Sequence, residues 1–93
     1  MNITLIITEC CISRCFEKQI QNCYNFTNLN QVINLQNGYT LTIIAIDGDN
    51  AYIKLENDNT IIYRILNINY PLQICLSNSN YFSYHLTINL VLN

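Results

Sequence analysis

Apolar and polar residues alternate along most of this chain. Ile3, Leu5 and Ile7 alternate with Thr4, Ile6 and Thr8, as the residues of a buried strand do. After Thr8 the spacing changes. Ile12, Phe16, Ile20 and Cys23 recur at intervals of four, four and three, while Arg14, Glu17, Lys18 and Gln21 fall on the other sides. That spacing predicts one apolar face of an amphipathic helix, with Thr8 as its N-cap and Glu9 in the first turn, ending near Tyr24. Asn22, Asn25, Asn28 and Asn30 then supply loop chemistry.

From Gln31 onward the rhythm is that of hairpins. Asn37-Gly38 is a strong short-range hairpin signal, because both residues tolerate the positive φ of a type I′ turn. It joins Gln31–Gln36 to Tyr39–Ile46. Asp47-Gly48-Asp49 leads into Asn50–Glu56, where Ala51, Ile53 and Leu55 form a buried face and Tyr52, Lys54 and Glu56 a wet one. Asn57-Asp58-Asn59 precedes Thr60–Leu66, whose two faces are both mostly apolar and predict a central strand covered on each side. Pro71 suits a strand start or an edge. After a turn at Ser77–Asn80, Phe82, Tyr84, Leu86, Ile88, Leu90 and Leu92 point one way along a strand of roughly 40 Å at about 3.3 Å per residue. A strand that long, if its end is unpaired, offers another chain an edge to join.

These elements predict an α+β fold. One N-terminal helix packs on a mainly antiparallel, curled sheet or small barrel of five to seven strands. Residues 1–93 form a single domain, with strand plus amphipathic helix over 1–30 and an antiparallel β meander over 31–93.

Composition narrows the function classes. Charged residues are 11% of the chain, against roughly 25% in an average domain, and Asn fills the gap with sixteen copies. The net charge is −2 and only four residues are basic, Arg14, Lys18, Lys54 and Arg64. Nucleic-acid binding needs several cations in one stripe, so none is expected. Low charge also lowers the barrier to self-association. No apolar run approaches the roughly 18 residues of a membrane span. Asn2 to Thr8 is apolar, but no basic residue precedes it and Glu9 closes it early. No signal peptide is expected, and the chain is expected to be cytoplasmic.

The candidate chemistry is sparse. Cys10, Cys11, Cys15 and Cys23 cluster near one end and Cys75 stands apart. On the predicted helix Cys11 and Cys15 share a side, and zinc would use such a pair with Cys75 or His85 completing the set. The usual Cys-x2-Cys knuckle is absent, and free cysteine behaves as a small buried apolar residue. His85, the one histidine, lies on the polar face of the last strand, where a hairpin at Ser77–Asn80 would set it beside Cys75. Asp47, Asp49 and Asp58 sit in turns, where Asp already serves the backbone. No phosphate-binding glycine loop or serine elbow exists, so no cofactor and no catalysis are expected.

The segment Ile33-Asn34-Leu35-Gln36-Asn37-Gly38-Tyr39-Thr40-Leu41, continued by Ile46-Asp47-Gly48-Asp49-Asn50-Ala51 and Ile53-Lys54-Leu55-Glu56, resembles a stretch of the duplicated β-sandwich domain of archaeal surface-layer proteins. There a Leu-x-x-Gly-Tyr-x-Leu run leads through an Ile/Val-Asp turn into a short alternating strand. The resemblance covers residues 33–56 of the 93. It implies a self-assembling structural module with no catalytic residues to carry over. The same segment is similar to the hairpin of carbon-storage-regulator RNA-binding proteins, whose RNA-binding arginines have no counterparts here.

The expected function is therefore a non-catalytic interaction or assembly module, associating with itself or another protein through a strand edge or a Tyr-bearing sheet face. The alternative is a small Cys-based metal-binding or redox-sensing domain.

Overall fold

The alternation that begins at Ile3 does not stop at Thr8. It runs inward through Ile3, Leu5, Ile7, Glu9 and Cys11, all buried on one face of a single strand. The computed structural model describes residues 2–93. It contains eight strands: β1 (Ile3–Ser13), β2 (Glu17–Phe26), β3 (Val32–Asn34), β4 (Thr40–Asp47), β5 (Asn50–Glu56), β6 (Ile61–Asn67), β7 (Leu72–Asn78) and β8 (Phe82–Leu92). One 3-10 turn, Gln36–Gly38, joins β3 to β4.

The strands form two antiparallel sheets, ordered β2-β1-β8-β7 and β3-β4-β5-β6. Within each sheet chain neighbours pair, and β8 closes back on β1. The topology is a meander folded in half at the β2–β3 and β6–β7 crossings. The core lies between the sheets. Leu5, Phe26, Leu41, Ile43, Ile53, Leu55, Tyr84 and Ile88 have no measurable exposure there.

The expected α+β class is corrected to an all-β sandwich of eight strands. No α-helix occurs among the described residues, and the segment predicted as a helix is the end of β1, a tight turn and β2. The physical reason is visible side chain by side chain. Ile12 and Phe16, which would have anchored the helix, are 41% and 56% exposed, and Cys23 is exposed too. Glu9 stands at a core-facing position, so a charge interrupts the apolar half of the alternation and mimics a helix first turn. The turn itself is tied by the Ser13 N–H donating to the Phe16 carbonyl at 2.8 Å.

The predicted turns are present with the expected chemistry. Asn37 and Gly38 have φ of 60° and 76°, and the Tyr39 N–H donates to the Gln36 carbonyl at 3.3 Å, as a type I′ turn requires. Gly48, at φ 60°, occupies the first central position between Asp47 and Asn50. The Asn57 side-chain oxygen accepts from the N–H groups of Asn59 and Thr60 at 2.9 and 2.8 Å.

Two placements differ from expectation. Thr60–Leu66 was expected at the sheet centre, yet β6 is an edge strand with one face uncovered. The terminal strand was expected to offer a free edge. Instead β8 is central, paired along its length with β1 and from Ser83 to Ile88 with β7, so that its last residues, 89–92, are open on the β7 side alone.

Candidate functional site

The outer face of the β3–β6 sheet carries a contiguous apolar surface. On β6 the residues Ile61, Tyr63 and Ile65 point outward and are 58%, 60% and 56% exposed. The register sets Glu56 beside Ile61, Lys54 beside Tyr63 and Tyr52 beside Ile65. A β-bulge in β4 between Ile43 and Ala45 turns Ile44 out onto the same face. Ile44, Tyr52, Tyr63 and Ile65, with Ile53 beneath and Arg64 at the margin, line a shallow hollow of about 300 Å³. Beside it Lys54 and Glu56 form an ion pair at 3.5 Å, the only one among the described residues.

The opposite outer face, on the β2–β1–β8–β7 sheet, is largely polar and uncharged. Thr8 pairs with Thr87, which pairs with Gln73 on its other side. One row of this face brings chemistry together. Cys10 and Cys75 both pair with His85, so a thiol lies on each side of the imidazole. The sequence had suggested the Cys75–His85 half of this arrangement. Cys10 was not foreseen there, because it had been read as part of a helix.

That row does not converge on one ion. Cys10 and Cys75 are two strand spacings apart, roughly 9–10 Å. Two sulfurs on a zinc ion, each at about 2.3 Å, stand at most about 4.6 Å apart. Thiols leaning roughly 2 Å toward each other still leave a gap wider than that. No group of three or more metal-ligating side chains converges among the described residues. The Cys75 thiol instead donates to the Ser77 carbonyl at 3.5 Å. The Cys10 thiol points to Glu17 Oε1 at 4.0 Å, and its pKa is raised by burial, then by the charge of Glu17 and by Cys11.

The other two metal candidates lie elsewhere. Cys11 faces the core, donating to Gln36 Oε1 at 3.5 Å and accepting from Asn37 Nδ2 at 3.7 Å. Cys15 is exposed in the β1–β2 turn, its N–H on Ser13 Oγ at 3.4 Å. The helical pairing of Cys11 with Cys15 is thus corrected. A strand sends one into the core and the next turn carries the other into solvent.

A buried polar cluster was not foreseen at all. Glu9 is 3% exposed, and its Oε1 accepts from the Gln36 N–H at 2.7 Å and from the Tyr84 hydroxyl. The Tyr84 pKa is raised by burial first and by the Glu9 hydrogen bond second. The rings of Tyr84 and Tyr39 are 5.9 Å apart, and the Tyr39 hydroxyl donates to the Leu76 carbonyl at 3.3 Å. These bonds join β1, β7 and β8 of one sheet to the β3–β4 turn of the other. Each polar group already has a partner, and no buried side-chain nitrogen or oxygen among the described residues lacks one. The cluster is a cross-sheet clamp.

The four cations are dispersed. Arg14 stacks on Tyr81 at 4.2 Å, Lys18 stands on β2, Lys54 is paired, and Arg64 donates to the Tyr63 carbonyl at 2.9 Å. No described helix is long and apolar enough to cross a membrane. No family model, curated protein or solved structure matches this chain.

Proposed function

We propose that this protein is a non-catalytic assembly module that associates with itself. The observation that carries the reading is the uncovered apolar face of β6, where Ile61, Tyr63 and Ile65 are each more than half exposed side by side. Their summed exposure is on the order of 400 Å² at about 200 Å² per large side chain. The largest apolar patch of a typical monomer is about 300–600 Å² and is often functional. A net charge of only −2 leaves little repulsion between copies. The local resemblance to surface-layer β-sandwich domains points the same way. Five free thiols suit a reducing compartment, and we place the module in the cytoplasm.

Light scattering across the micromolar range tests the reading. A mass of at least twice 10.8 kDa is expected. A strict monomer at the highest concentration would rule self-association out.

A further inference from the structure

We infer that the second copy docks face to face on the outer side of β6, not by extending a sheet edge. This inference rests on the self-association proposed above and specifies its surface.

Edge pairing is opposed on each of the four edge strands, although residues 44–47 of β4 run past β3 and residues 89–92 of β8 run past β7 without a partner on that side. The edge strands are β2, β7, β3 and β6. Strand β2 carries Lys18 at a core-side position, across from buried Cys11. Strand β6 carries Arg64 at the equivalent kind of position, across from buried Ile53. Strand β3 has three residues. Strand β7 follows Pro71 and is bulged between Cys75 and Ser77. Inward charges, short strands, bulges and proline are the devices that keep sheet edges from pairing with other chains.

The face has no such device. Its apolar stripe reads Ile–Tyr–Ile in either direction, so a copy related by a two-fold axis at Tyr63 presents the same sequence of side chains. Tyr63 meets its own counterpart, as an isologous contact requires. The apolar area, on the order of 400 Å², is about half of the roughly 800 Å² per partner of a stable interface. The remainder is polar rim, here Thr40, Lys54 and Glu56. Lys54 and Glu56 of the rim neutralise each other as an ion pair, which leaves Arg64 at the margin as the one unpaired charge there among the described residues. Sheets packed this way sit about 10 Å apart with interdigitated side chains.

Hydroxyl-radical footprinting at low and high protein concentration, read by peptide mass, tests the mode. Tyr63 and Tyr81 are 60% and 62% exposed, and Tyr81, between β7 and β8 of the other sheet, serves as the internal control. The expected result is several-fold protection of Tyr63 on association, with Tyr81 unchanged. Tyr63→Glu is then monomeric and Tyr81→Glu is not. An oligomer in which Tyr63 stays reactive would overturn the face-to-face mode while leaving self-association standing. A monomer at all concentrations would overturn both. So would a monomer whose Tyr63 is protected only by added phosphatidylcholine vesicles, which would assign the face to lipid.

Discussion

Glu9 is the residue on which the two sheets are joined. Its carboxylate accepts from a backbone N–H of one sheet's turn and a phenol of the other sheet. Hydrogen bonds to a charged group contribute about 1.5–3 kcal/mol, and a stranded buried partner costs a comparable amount. Tyr84→Phe is therefore expected to lower stability by about 2 kcal/mol in urea melts. Glu9→Gln should cost a similar amount, and the double variant less than the sum, because the two share one bond. The pH dependence follows from the same contact. Tyr84 has a folded pKa above its unfolded value, so its contribution is fully present below about pH 10, the ordinary phenol value. It is lost as pH rises beyond that toward the folded pKa. Wild-type stability should fall more steeply than that of Tyr84→Phe above about pH 10. Parallel slopes would contradict the clamp.

At the scale of elements, the hairpins were legible and the first third of the chain was not. Asn37-Gly38 and Gly48 impose backbone conformations that few residues share, so their turns could be read directly. At Gly38 an added Cβ would meet no heavy atom within 4 Å, yet φ is +76°. Gly38→Ala is thus expected to cost about 1–2 kcal/mol through backbone conformation alone, measured by denaturation. Residues 9–24 misled because the sequence pattern holds two periods at once. The spacing of Ile12, Phe16 and Ile20 fits a helix, while Glu9 hides the alternation that continues to Cys11. A far-UV spectrum of sheet, without the helical double minimum, checks the correction. The uncovered face of β6 was legible in principle. The Asn57–Asn59 turn sets Lys54 opposite Tyr63, and opposed residues share a face. A wet Lys54 therefore implies a wet Tyr63. The expectation of a covering helix concealed that step.

For the whole molecule, the first and last strands form the middle of one sheet. Ile3 pairs with Leu92 and Ser13 with Phe82. The long axis of 42 Å is set by these eleven-residue strands, at about 3.3 Å per residue. Removing Phe82–Leu92 should therefore abolish cooperative unfolding, because β1 and β7 lose their common partner. Pairing the two ends also makes folding depend on distant contacts, as in other β-sandwiches. The same topology places most of β8 inside its sheet, and on the proposed reading copies meet at the outer side of β6. Sedimentation equilibrium of the wild type beside Tyr63→Glu tests that claim most directly. The expected result is a concentration-dependent mass above 10.8 kDa for the wild type and a folded monomer for Tyr63→Glu. Equal masses for the two proteins would contradict it.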